Sequence, residues 1–355
     1  MAETEYADRE LVSDPAREFF DKAYESFRER CGGRPESTQF VLAGRNVRID
    51  AGTASLTPVL TRALQHLKTS GAEEFDLAIS VWDTPNTSMI SPAWNESDYG
   101  VRGEILGFND DVFRTAFDHG TAALSMLDLE QGRAIFWTRD AAQLPAYENA
   151  APLRTIFSWW LQARGCLLVH AAAVAHGNTC VLLAGSGGSG KSSAALICLL
   201  KGWDYLGDDY CAVNIGDIPR VFSLYSSIKI DREWMNAVPQ FGQMAATIGS
   251  VHDGKKIMFL HEYWPERMRR VADCRLILLP CVTKGTRSST SEASPAEALR
   301  ALAPSSMFQT AAEGAYMFER LANLVRRVPA RWLNLGPDIE AIPGVVADCV
   351  DKVSQ

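Results

Sequence analysis

Apolar positions along the first 150 residues change period several times, and each change marks an element. Phe19, Phe20, Tyr24 and Phe27 recur at helical spacing behind Asp14-Pro15, a cap followed by proline at the first helical position, and Gly32-Gly33 ends the run. Two short runs, Gln39 to Leu42 and Asn46 to Ile49, predict a hairpin turning at Ala43-Gly44-Arg45. Leu60, Leu64 and Leu67 return to helical spacing after Thr57-Pro58. Leu77, Ile79 and Val81 then alternate as a strand does, and Asp83 to Gly100 is a long polar loop. Short strands follow at Glu104 to Leu106, Ala122 to Leu127 and Arg133 to Thr138. Together these predict a small α+β domain over residues 1–150 with an antiparallel sheet, in which Trp82, Trp94 and Trp137 are core or interface residues.

Leu153, Ile156, Phe157, Trp160 and Leu161 form a broad apolar face on a helix that connects the halves over 151–164 and stops at Gly165. The second half, residues 165–355, opens with a strand from Leu167 to Val174, a turn at His176-Gly177-Asn178 and a second strand, Cys180 to Ala184. Short strands are expected at Ala212 to Ile215, Val221 to Leu224 and Ser227 to Ile230, a buried one at Arg275 to Pro280 and a last one at Arg331 to Leu335. Ser294-Pro295-Ala296-Glu297 is a capping box that starts a helix to about Leu302; a further helix covers Met307 to Arg327, and a short one follows Pro343. The polar stretch Ser288 to Ser294 reads as a surface loop. The fold class expected is mixed α/β, with a mixed sheet in the second domain.

Composition narrows the class. At 355 residues the chain is long enough for two cores, and 47% hydrophobic with 22% charged residues is that of a globular protein. A net charge of −8 argues against nucleic acid and anionic membranes as partners. Eight cysteines without a C-x-x-C pair, several inside apolar runs, read as buried thiols in a reducing compartment. The acidic N-terminus lacks the apolar core of a signal peptide, and no apolar stretch nears the roughly 20 residues that span a bilayer. A cytoplasmic protein is expected.

The chemistry concentrates between residues 165 and 231. Gly185 to Ser192 read Gly-Ser-Gly-Gly-Ser-Gly-Lys-Ser, a full match to G-x-x-x-x-G-K-[ST], between a strand and a helix. Glycines let backbone N–H groups turn toward phosphate, the lysine reaches the β- and γ-phosphates, and the hydroxyl of Ser192 ligates Mg²⁺. After the helix come Asp208 and Asp209. Adjacent strand residues point to opposite faces, so one carboxylate can hold Mg²⁺ through water while its neighbour accepts a proton from an attacking hydroxyl. His170 lies mid-strand before three alanines, and the remaining histidines, 66, 119, 176, 252 and 261, show no metal-ligand spacing. Lys229, Lys255, Arg267, Arg269 and Arg270 are further candidates to clamp phosphate charge, each weighed against a plain surface role.

The order His170, phosphate loop, then Gly-Trp-Asp-Tyr-Leu-Gly-Asp-Asp resembles the catalytic domain of HPr kinase/phosphorylase and, more distantly, the phosphoenolpyruvate carboxykinases. Within that superfamily the chain is most similar to HPr-kinase-related serine kinases, some of which accompany lasso-peptide biosynthesis and phosphorylate a precursor peptide. The resemblance covers roughly residues 165–345. It implies ATP and Mg²⁺ as cofactors, with nucleotide held by Gly185, Ser186, Gly187, Gly188, Ser189, Gly190, Lys191, Ser192 and Ser193. It implies that His170, Asp208 and Asp209 flank the transferred phosphoryl group, and that Ser192 and Asp209 hold Mg²⁺, with the division of labour between the two aspartates open. It further implies a homo-oligomer and an acceptor hydroxyl on a peptide or small protein. Where HPr kinases carry Glu-Ile-Arg-Gly-Leu-Gly, this chain has Ser226-Ser227-Ile228-Lys229-Ile230-Asp231, so HPr recognition and reverse phosphorolysis fall outside what is implied. Two other readings share the motif: a kinase of a small-molecule hydroxyl, and a nucleotide-binding regulator or scaffold that transfers nothing. A transport ATPase is disfavoured, because the strand at Arg275 to Leu279 ends in Pro280 rather than a carboxylate.

Overall fold

The computed structural model describes residues 14–85, 93–231, 255–309 and 314–354, and the fold is mixed α/β on two main sheets. The first sheet contains β1 (Glu36–Leu42), β2 (Arg45–Ala51), β3 (Lys68–Thr69), β4 (Leu77–Asp83), β5 (Phe113–Asp118), β6 (Ala123–Asp128) and β7 (Arg133–Thr138), ordered β3-β1-β2-β4-β7-β6-β5. Its hairpin turns on two residues, Ala43 and Gly44, both at positive φ, the twist that matches paired antiparallel strands.

The sheet is mixed rather than antiparallel. β4 pairs parallel with both β2 and β7. Parallel neighbours need a crossover, and between β2 and β4 it is supplied by the helix Leu56–Thr61 and the 3₁₀ turn Arg62–Leu67, which bury Leu56, Leu60, Leu64 and Leu67. Strand β5 escapes the sequence pattern because acidic turn residues crowd its start, whereas Glu104 and Ile105 form only isolated bridges. The opposite face is covered by the helix Pro15–Arg30, begun where the Asp14 carboxylate accepts the amides of Ala16 (3.1 Å) and Arg17 (3.2 Å). Phe19, Phe20 and Phe27 pack there with Trp82, Trp94 and Trp137.

The second sheet contains β8 (Cys166–Val169), β9 (Ala172–His176), β10 (Thr179–Leu183), β11 (Asp204–Gly207), β12 (Cys211–Asn214), β13 (Arg220–Phe222), β16 (Val271–Val282), β17 (Ser289–Ala293) and β18 (Ala330–Leu335), while β14 (Ser227–Ile230) and β15 (Lys256–Phe259) form a separate ribbon. Its order is β11-β9-β10-β16-β13-β12-β8, with β18 also on β16 and β17 on β18. Parallel pairs β10/β16 and β16/β18 make it mixed. The expected loop from Ser288 to Ser294 is mostly strand β17: bound to β18 on one side, it keeps its polar side chains largely in solvent, as an edge strand does. The capping box forms as expected, with Ser294 N donating to Glu297 Oε2 at 2.8 Å, but its helix runs from Pro295 to Gln309. Pro304 therefore lies inside a helix that was expected to end near Leu302, and Met307 belongs to this helix rather than to the next, Gly314–Arg327. The final helix, Ile342–Ser354, is longer than expected.

The helix Arg154–Gln162 joins the two sheets. Ile156, Phe157 and Trp160 share one apolar cluster with Phe40 and Val47 from the first sheet and with Tyr210 and Leu224 from the second half. The same seam holds His66, whose Nε2 meets Ser223 Oγ at 2.6 Å. Burial, with smaller contributions from His261 and Arg270, pushes this imidazole down to about 3. Above the ordinary value of 6.5 both states are neutral; below it the unfolded chain takes a proton that the folded chain refuses, so stability is lost as pH falls from 6.5 toward 3. Lowering the pH from 7.5 to 5 is expected to cost about 2 kcal/mol through this group. Thermal melts of the wild type and His66→Gln at both pH values check it, the variant showing the shallower dependence.

Candidate functional site: a glycine-rich loop facing a broken ribbon

The glycine-rich loop Gly185 to Ser192 follows β10 and opens the helix Lys191–Leu200. Gly188 and Gly190 stand at φ of 77° and 101°, a region closed to most side chains, and a Cβ at Gly190 would also collide with Leu335. Gly190→Ala is therefore expected to lower stability by about 1–3 kcal/mol, read by a thermal melt. Gly187 through Ser193 line a cleft of about 900 Å³. Gly185 and Ser186 stay behind it, their carbonyls accepting Lys191 Nζ at 2.7 and 3.1 Å. Burial lowers the pKa of Lys191, and Asp208 and Asp209 oppose that shift.

The acidic wall arises from a shared defect in two strands. β8 pairs antiparallel with β12, and β9 with β11; Cys211 faces Val169 and Gly207 faces Ala173 in one common register. The two pairs thus form one long ribbon, broken at residues 170–171 on one strand and 208–210 on the other. Carried across the break, that register sets His170 opposite Tyr210, Ala171 opposite Asp209 and Ala172 opposite Asp208. His170 is therefore at the break, not in mid-strand as its sequence suggests.

The aspartates end in different environments. Asp208 is buried, and neither carboxylate oxygen meets a donor in full hydrogen-bond geometry. Burial, then the charge of Asp209, pushes it up to about 7, offset only in part by the Ser192 hydroxyl and Lys191. Asp209 lines the cleft, with Oδ2 at 2.6 Å from Lys229 Nζ and Oδ1 at 3.9 Å from His170 Nε2. Burial alone would raise it, but Lys229, by charge and hydrogen bond, and then His170 and Lys191 hold it below the ordinary carboxylate value. His170 is pushed down to about 4 by burial against the pull of Asp209, and is neutral at pH 7.

The structure brings together His170, Asp209 and Gly187 through Ser193 around one cleft, with Asp208 packed beneath it. Of the extra cations, Lys229 and Lys255 line the cleft. Arg267, Arg269 and Arg270 do not: they bind Gly202 O, Asp204 and Lys68 O respectively. Ile228 to Asp231, where the sequence departs from the HPr-kinase signature, also lines the cleft. Sequence reasoning missed the far wall. There Arg154 Nη1 donates to Tyr210 Oη at 2.8 Å, and Tyr210 Oη donates to Gln309 Oε1 at 3.0 Å. Tyr210 stands edge-on to His170, ring centres 5.6 Å apart. No local pattern could have joined three residues so far apart, although Tyr210 directly follows the aspartate pair. Among the described residues no group of three or more His, Cys, Asp or Glu could hold a metal ion by itself, and no helix is long and apolar enough to cross a membrane. His252 lies outside the described residues.

No protein-family model matches the chain, and no curated protein matches it. Among solved structures it is similar to the Hpr(Ser) kinase/phosphatase from Coxiella burnetii, at 12% identity and a TM-score of 0.32 over 53% of this chain and 92% of that one. The chemistry is therefore read from the geometry of the cleft.

Proposed function

We propose that the chain is a kinase that transfers the γ-phosphoryl group of ATP to a hydroxyl, that of a serine on a peptide or small protein. The observation carrying this reading is a cation-held Asp209 lining one cleft with the Gly187–Ser193 loop, while Asp208 lies buried beside Ser192. A module that only binds nucleotide has no need of an ionised, cation-held carboxylate facing the same cleft.

The orphaned, buried carboxylate of Asp208 beside the Ser192 hydroxyl fits a divalent cation, whose charge would replace the missing donors. This favours Asp208 with Ser192 as the Mg²⁺ ligands, where the sequence expectation paired Ser192 with Asp209. Mg²⁺ bound there would neutralise charge on the β- and γ-phosphates. Asp209 then has the base's position. Ionised and open to the cleft, it takes the acceptor's proton as the acceptor oxygen bonds to γ-phosphorus and the bond to the β,γ-bridging oxygen breaks, leaving ADP. Lys229 keeps Asp209 ionised and in place. Lys191 and the loop amides stabilise the charge growing on the phosphates at the N-terminus of the helix Lys191–Leu200. His170, neutral at pH 7, stands 3.9 Å from Asp209 without adding a cation.

The test is acceptor-dependent ATP consumption with Mg²⁺ across serine peptides, free serine and sugars. ADP release is expected to rise with serine peptides. Stimulation by free serine or a sugar alone would favour the small-molecule reading, and stimulation by nothing would reject phosphotransfer.

A further inference from the structure

A second cleft, of about 520 Å³, adjoins the first and shares with it a wall of Arg154, Phe308 and Gln309. Its floor is apolar, formed by Ala123, Phe136 and Leu153, all buried. Its sides carry Arg102 and Arg154 beside Asp118 and Glu148, and burial pushes the Glu148 carboxyl up to about 7. The rims are unusual. Among the described residues seven large apolar side chains stand in solvent, and four of them border these two clefts: Val101 (105% exposed) on the second, Tyr147 (37%) and Val282 (67%) on the first, and Phe308 (80%) on both. Apolar side chains gathered at cleft mouths mark a surface that docks another chain. A small-molecule acceptor would need only the room beside Asp209 in the first cleft and would leave the second unused.

We propose that the second cleft is the docking subsite for the acceptor polypeptide, seating an apolar side chain that flanks the phosphorylated hydroxyl. The proposal rests on the kinase reading for its orientation: the hydroxyl reaches Asp209 past the shared wall while the flanking residues lie against Phe308 and Val101. The apolar floor and the exposed Phe308 and Val101 then select for an apolar flanking residue.

The experiment uses a fluorescein-labelled positional library of serine-centred peptides, with binding followed by anisotropy and transfer by phosphopeptide formation. Peptides with an apolar residue beside the serine are expected to bind most tightly. Because both side chains are exposed, Val101→Asp and Phe308→Asp keep the core intact, and each is expected to weaken peptide binding and raise the peptide KM about tenfold, with kcat changed far less. Unchanged binding and KM in both variants would overturn the subsite while leaving the kinase reading standing. Peptide binding that is sensitive to both variants, without any transfer by the wild type, would support the subsite and overturn the kinase reading. No peptide binding by the wild type would overturn the subsite, and transfer to free serine in that case would preserve the chemistry.

Discussion

Replacing Lys191 with alanine is expected to lower phosphoryl transfer by about a thousandfold, the scale of losing one preorganised charge at the transferring group. Its ammonium is positioned by the Gly185 and Ser186 carbonyls and partly desolvated, so it meets phosphate in a medium where charge interacts strongly. The change also strands two carbonyls, at a cost of about 1–3 kcal/mol if water does not reach them. A melt must therefore accompany the kinetics. Lys191→Met, similar in length, is expected to lose transfer to the same degree. Transfer retained within a few-fold in both variants would remove the loop from the chemistry.

Asparagine at the two aspartates is expected to give unlike enzymes. Asp209→Asn removes the base, with kcat falling about 10²- to 10⁴-fold and the Mg²⁺ requirement little changed. Asp208→Asn is expected to raise the Mg²⁺ concentration for half-maximal activity at least about tenfold. The same variant has a stability signature. Asp208 has a folded pKa of about 7 against an ordinary 3.8, so between these values the folded chain holds a proton that the unfolded chain releases. Stability without Mg²⁺ therefore falls as pH rises from about 4 to 7 and stays low above it. Asp208→Asn is expected to remove that loss and melt higher than the wild type at pH 8 without Mg²⁺. Adding Mg²⁺ should stabilise only the wild type of this pair.

The parts of this fold that were legible in sequence are those set by neighbours in the chain. Asp14 caps its helix, Ala43-Gly44 turns its hairpin, Ser294 and Glu297 close a capping box, and the glycine-rich loop joins a strand to a helix. Parallel pairing of β4 was not legible, because the alternation of Leu77, Ile79 and Val81 gives faces but not the direction of the neighbour. The break that joins His170 to the aspartates depends on the register between segments some 40 residues apart, for which neither segment carries a local signal. Lys229 could be named as a candidate but not chosen from among the other cations, since only its closeness to Asp209 separates it from Arg267 or Arg270. Arg154 was hidden among the apolar residues of its own helix.

The most direct test of phosphotransfer is a single turnover with γ-labelled ATP, Mg²⁺ and the best-bound serine peptide, in the wild type and in Asp209→Asn. The expected result is label in phosphoserine, one per ADP formed, with the rate collapsing in Asp209→Asn while nucleotide still binds. Label released only as inorganic phosphate, at the same rate with and without peptide and in both proteins, would contradict the assignment of Asp209 and of the reaction itself.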